Sequence, residues 1–202
     1  MSLQLFKNDV LFYQRILAVS GFYKGPLDGK WTAAVDTASL NFDAATAALK
    51  VKLGSFDPRS EANIATLIPK AQTLARQFMK VAAGFAFTVR IISGTRTYSE
   101  QNALFGQKPK VTNAKGGQSN HNFSIAWDVG IFDAQGNYFT GANAKQAKAY
   151  SDLASLIKSN IPGLEWGGAW KSFQDPPHYE VSTGGKSISQ VRALFESGKP
   201  YV

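Results

Sequence analysis

The chain has 202 residues but only two histidines, His121 and His178, and each stands close to an aspartate. His121 comes seven residues before Asp128, and His178 comes three residues after Asp175, across Pro176-Pro177. Imidazole and carboxylate are donors for a borderline-soft cation such as zinc. Cysteine is absent. That removes disulfides, thiol catalysis and Cys-ligated zinc, so a metal here is held by His and carboxylate. His121, Asp128 and His178 make three protein ligands and leave a fourth position for water, as in catalytic rather than structural zinc sites. Asp175, beyond the proline pair, is then placed beside the metal without ligating it. A general base for an attacking water belongs there. Arg96, after an apolar run, is a candidate to stabilise an oxyanion.

These residues constrain the elements that carry them. On a straight strand a seven-residue spacing spans about 23 Å, and on a helix about 10 Å. Neither brings both side chains within the ~2 Å reach of one zinc. His121 must therefore lie on an incoming loop that turns back, with Asp128 on the strand that follows. Gly116-Gly117 and the Ser124 region supply that freedom. Pro176-Pro177 keeps the approach to His178 extended. On the strand beyond, His178 and Glu180 point to one side and Tyr179 to the other. Singly, each residue has a plainer reading: a hydrogen-bonded strand-end histidine, a turn aspartate, a surface arginine. The set of spacings favours chemistry.

The remaining elements follow from periodicity and punctuation. Residues 8–19 have apolar positions at helical spacing, with Asn8 or Asp9 as cap and Gly21 as stop. Gly25-Pro26-Leu27-Asp28-Gly29 is a turn, and an Ala-rich helix follows from about Trp31 to Leu49. Ser60 is expected to cap a helix reaching Ala83. Pro69 either starts that helix or joins two shorter ones. Phe85 to Ile92 alternates as a strand, with Phe85, Phe87, Val89 and Ile91 on one face. Tyr98–Phe105 is a short helix capped by Ser99, and residues 106–120 form a loop. Ile125–Phe132 is a strand, with a short return at Tyr138-Phe139. Asn143–Ser159 is a helix with Ala147, Tyr150, Leu153, Ala154 and Ile157 inward. Leu164–Trp166 is extended, His178–Val181 is a strand, and Ser187–Ser197 is the last helix. Strands and helices in no regular alternation predict an α+β fold. A small antiparallel sheet with flanking helices carries the site, after a small helical domain. The expected division is 1–55 and 60–202.

Two resemblances are carried by these residues. Ser119-x-His121, Asp128, Ser93-Gly94-Thr95-Arg96 and Asp175-x-x-His178 resemble the zinc D,D-carboxypeptidase and L-alanyl-D-glutamate endopeptidase family of cell-wall peptidases, phage endolysins included. Trp166-Gly-Gly-x-Trp170 and His178-x-Glu180 look most like the endopeptidase branch. The resemblance implies zinc on His121, Asp128 and His178, Asp175 as general base and acid, and Arg96 at the substrate or oxyanion. Ser119 is implied as a supporting residue, with Gln101 and Trp170 as further substrate contacts. Ser124 stands where the family usually has Gly, so a small adjustment of a turn is expected. Ala169 replaces a common acidic residue. The N-terminal Phe12, Gln14, Leu17, Gly21, Phe22, Tyr23, Pro26, Leu27, Asp28, Gly29, Trp31 and Phe42 resemble small peptidoglycan-binding helical domains. The plainer alternative is a helical hairpin whose aromatics pack on the main domain.

The resemblance implies hydrolysis of the peptide stem of peptidoglycan, at the L-Ala–D-Glu bond. A D-Ala-D-Ala carboxypeptidase and a non-catalytic wall-binding protein are the alternatives. The net charge of +8 suits an anionic polymer. The basic residues are scattered without a recognition motif, so nucleic acid is not an expected partner. No apolar run approaches a membrane span, and no secretory signal pattern is visible. Synthesis in the cytoplasm, action at the cell wall in the periplasm or outside the cell, and a monomer are the expectations.

Overall fold

The computed structural model describes residues 7–202, so the expected 1–55 segment lies partly outside the described residues. The helices are α1 (Lys7–Val19), α2 (Ala33–Leu53), α3 (Pro58–Ala65), α4 (Pro69–Ala82), α5 (Tyr98–Phe105), α6 (Ala144–Asn160) and α7 (Ile188–Glu196). The strands are β1 (Thr88–Ser93), β2 (Ala126–Phe132), β3 (Leu164–Trp166) and β4 (His178–Val181). Short 3-10 turns cover Asn120–Phe123 and Gly167–Ala169. The chain divides into two compact units. One comprises the described residues up to Ala48 with Arg96–Ser124 and Thr183–Val202; the other comprises Leu49–Thr95 and Ile125–Ser182. The fold is α+β, as expected. No described helix is long and apolar enough to cross a membrane.

In the first unit α1 buries Val10, Phe12, Ile16 and Leu17. The Phe12 ring meets Tyr98 at 5.9 Å and Phe195 at 5.5 Å, both edge-on. Burying each such side chain contributes roughly 1.5–3 kcal/mol. Gln14 is fully buried and pins the Asp28-Gly29 reversal. Its Oε1 accepts from the Gly29 amide at 2.9 Å, and its amide group donates to Asp28 and to the Lys30 carbonyl. Gly29 sits at φ +73°, a region open to glycine at little cost. Helix α2 begins after Trp31, whose half-exposed ring stacks on Tyr13 at 5.9 Å.

The second unit is built on a four-stranded antiparallel sheet, in the order β1-β2-β4-β3. Trp127 pairs with Tyr179 in the register of β2 and β4, so both leave the same face. There they meet Phe78 of α4, at 6.1 and 4.7 Å between rings. Helix α6 adds buried Tyr150, Leu153, Ala154 and Ile157. The same alternation puts Asp128, His178 and Glu180 on the opposite face.

Several local expectations change. Asp57, not Ser60, caps the helix after the connector, because Pro58 occupies its first turn. Ser60 is buried; its hydroxyl donates to Asp57 and accepts the Ile91 amide. Two helices meet at Pro69, the second of the alternatives. The first strand starts at Thr88, not Phe85. Gly84 and Phe85 still bond back to Val81 and Ala82, so the chain is completing a turn and cannot extend. The Phe87 ring instead packs on Phe139 at 4.9 Å. Thr97, not Ser99, caps α5, in a reciprocal capping box with Glu100. The return at Tyr138-Phe139 amounts to a single bridge, Phe132 to Tyr138. In α6, Ala147 is exposed and Ala149 is buried in its place.

Candidate metal centre

Asp128 and His178 are direct partners across β2 and β4. His178 Nδ1 lies 3.3 Å from Asp128 Oδ1, and its Nε2 lies 2.8 Å from Glu180 Oε2. The proline elbow is tied down around them. The Pro177 carbonyl accepts from the Val129 amide, and the Pro176 carbonyl accepts from Trp166 Nε1. The Asp175 amide donates to the Gly167 carbonyl at 3.0 Å, and the His178 amide donates to the Asp175 carbonyl at 3.1 Å. This places Asp175 one hydrogen-bonded turn from His178. Trp170 lies with its ring 4.9 Å from the His178 ring.

Gly167, in the sequence one glycine of the Trp166-Gly-Gly-x-Trp170 stretch without a role of its own, makes the elbow possible. A Cβ there would stand 2.6 Å from the Asp175 carbonyl oxygen and 2.9 Å from His178 Cβ. Gly167→Ala must push this elbow aside. A displacement near 1 Å costs about 100-fold in catalysis, so kcat/KM should fall by about that factor. Wild-type activity in the variant would remove the elbow from the positioning of the site.

His121 sits in the 3-10 turn Asn120–Phe123, as the loop expectation requires. Ser119 caps the turn, accepting the His121 amide at 3.4 Å. Asn122 is fully buried and bonds the Gly117 amide and the Arg96 and Thr97 carbonyls. Phe123 packs between Phe195 and Tyr201, whose hydroxyl donates to the Phe123 carbonyl. Burial holds the Tyr201 phenol well above its ordinary pKa. Ser124 closes the turn at φ 57°, ψ 32°, the left-handed region. Its buried hydroxyl has no hydrogen-bond partner among the described residues. Left-handed backbone costs an L-residue about 1–2 kcal/mol, which explains the usual glycine at this position. Ser124→Gly relieves that strain and the buried hydroxyl, against the added freedom of the unfolded chain. The expected result is a gain of about 1 kcal/mol, a melting temperature about 2–4 °C higher by circular dichroism.

Arg96 donates its amide to the His121 carbonyl at 3.1 Å. Its guanidinium lies 3.4 Å from Gln101 Oε1, and buried Gln101 also donates to the Ala114 carbonyl. Gly94 lets the chain ahead of Arg96 lie against the end of α3. A Cβ there would stand 2.6 Å from the Asn63 carbonyl oxygen and from Thr66 Oγ1.

One potential ligand atom from each of His121, Asp128 and His178 lies within 4.8 Å of the others. The donor set fits zinc. Tetrahedral ligands at zinc distances stand about 3.4 Å apart, and the 3.3 Å from His178 Nδ1 to Asp128 Oδ1 matches such an edge. Burial lowers the pKa of His178, but hydrogen bonds and charges from Asp128 and Glu180 outweigh it and push it up to about 9. A buried cation is thus favoured here, and Glu180 belongs to the surroundings that favour it. In the sequence Glu180 stands on the same strand face as His178 and in the His178-x-Glu180 stretch, with no role of its own.

The family described as D-alanyl-D-alanine carboxypeptidase, one of the M15 peptidases, matches residues 112–181. That stretch includes His121, Asp128, Asp175 and His178. The peptidoglycan L-alanyl-D-glutamate endopeptidase CwlK of Bacillus subtilis (strain 168) is 33% identical over 127 residues, 57% of this chain and 73% of that protein. The crystal structure of the L-Ala D-Glu endopeptidase ChiX of Serratia marcescens aligns with a TM-score of 0.49 at 21% identity. That alignment covers 64% of this chain and 90% of that one. On the extent of its likeness to CwlK, the chain belongs to the M15 family of peptidases.

Proposed function

We propose that the protein hydrolyses the peptide stem of bacterial peptidoglycan at the L-Ala–D-Glu bond, with zinc held by His121, Asp128 and His178. The observation that carries this reading is the convergence of those three donors in a chain related to CwlK. Zinc, when bound, supplies a Lewis acid that makes water a nucleophile at neutral pH. Asp175 accepts the proton of the attacking water and passes it to the leaving amine. Arg96 offsets the charge developing on the attacked carbonyl oxygen. Ser119 holds the His121 turn, buried Gln101 steadies the Arg96 guanidinium, and Trp170 completes the substrate contacts. Residues 1–55 hold the enzyme on the wall and 60–202 carry the reaction. The stacked Tyr13 and Trp31 rings, with Trp31 41% exposed, give the N-terminal segment a surface suited to that role. The net charge of +8 favours approach to an anionic wall. The enzyme works as a monomer outside the cytoplasmic membrane.

The family description favours a second reading, a D-Ala-D-Ala carboxypeptidase. Mass spectrometry of purified disaccharide-pentapeptide after incubation with the zinc-loaded protein separates the readings. A product peptide with a free D-Glu amino group is expected. Release of free D-Ala would establish the carboxypeptidase. An unchanged substrate would leave a wall-binding protein without catalysis.

A further inference from the structure

We infer that Glu180 is a positioning residue: it fixes the His178 ring so that Nδ1 faces the metal, and thereby sets how tightly the site holds zinc. The inference rests on the zinc reading proposed above. Glu180 follows His178 by two residues on β4, so both side chains leave the same face of the sheet. Both are buried, His178 at 4% exposure and Glu180 at 8%. The Nε2···Oε2 separation is 2.8 Å, a charge-assisted hydrogen bond of ordinary length. The other ring nitrogen stands 3.3 Å from Asp128, too long for a strong bond of that kind but suited to two ligands of one ion. The cross-strand partner of Glu180 on β2 is Ala126, which brings only a methyl group and no competing donor.

These contacts assign unlike roles to the two carboxylates beside His178. Asp128 shares the metal with the ring. Glu180 accepts the hydrogen bond of the Nε2–H, which keeps the proton on Nε2 and leaves the lone pair for the metal on Nδ1. It also fixes the ring rotation, because a flipped ring would bury an N–H without its acceptor. In Glu180→Ala the ring loses both constraints. In Glu180→Gln the amide oxygen still accepts the Nε2–H hydrogen bond but without charge.

The test is zinc affinity of the metal-stripped full chain, measured by competition with a chromophoric chelator. Long-range 15N–1H spectra of the zinc-loaded chain supply the second readout. Glu180→Ala should bind zinc about 10–100-fold more weakly, and Glu180→Gln should recover part of the loss. The wild-type spectrum should show His178 ligating through Nδ1 with a slowly exchanging proton on Nε2, and that proton should exchange freely in Glu180→Ala. Wild-type affinity in both variants would overturn the role of Glu180 and leave the zinc reading standing. So would ligation through Nε2 in the wild type, a measurement that needs no variant to fold. A wild-type chain that binds no zinc would instead overturn the metal assignment, and this inference with it.

Discussion

Replacing Asp175 with Ala should lower kcat by about 10²–10⁴-fold, the usual contribution of a positioned general acid or base, while zinc remains bound. The three clustered donors are His121, Asp128 and His178, so the variant keeps every assigned ligand. The elbow also survives, because Asp175 contributes its backbone to the turn. Its amide bonds to Gly167 and its carbonyl to the His178 amide, and alanine makes both bonds. Only the carboxylate is removed. Turnover of a defined muropeptide and zinc content by mass spectrometry are measured on the same sample. Wild-type turnover would move the proton transfer to another group. Loss of zinc would make Asp175 a ligand.

The largest stability effect is expected from Arg76→Met. Arg76 is fully buried on α4, where its guanidinium makes two hydrogen bonds to Glu61, at 2.9 and 3.0 Å, and one to the Gly54 carbonyl at 2.8 Å. Glu61 keeps 15% of its side-chain surface exposed and retains a distant Lys50 at 3.7 Å. Methionine preserves the buried apolar stem and deletes the charge. Removing one partner of a buried pair costs about 3–5 kcal/mol, and the partial exposure of Glu61 sets the expectation at about 3. For a chain of this size that lowers the melting temperature by about 6–12 °C. The pair also imposes a pH dependence. Burial raises the pKa of Glu61, but the hydrogen bonds from Arg76 and the Phe56 amide, with the charges of Arg76 and Lys50, hold it below the usual carboxylate range. A depressed pKa contributes stability above the unfolded value, about 4.3, and the contribution is lost as pH falls through the folded value. Arg76→Met should show a shallower loss of stability over that acid range. An unchanged melting temperature and acid profile would refute the role of the pair.

The site was more legible than the helices around it. His121, Asp128 and His178 stood out because the chain has so few histidines, and their spacings excluded any geometry but loop, strand and strand. The deviation at Ser124 was also visible, as a serine where a glycine is usual, and the structure supplies its cause in the left-handed backbone. Arg76 was invisible. It lies on the apolar side of α4, where a sequence reading leaves arginine to the solvent, and its partners are 15 and 22 residues away in the chain. The apparent strand at Phe85 misled for a related reason. Alternation records which residues are apolar, and two aromatics packing ring on ring outside the ladder produce the same pattern.

By itself, then, the sequence determined the chemistry: which donors exist, that no thiol competes with them, and that the turns needed to converge them are present. These follow from residue identity and local backbone preference, which act within a few positions. Tertiary structure decided which partner each donor meets. Asp128 opposes His178 because β2 pairs with β4 in one register, and a slip of one residue would send Asp128 to the face occupied by Trp127 and Tyr179. That register is held by aromatic burial on the far side of the sheet and by the Pro177 carbonyl bonded to Val129, contacts about 50 to 100 residues apart in the chain. Pairing over such distances depends on the packing of the whole unit, which no local pattern records.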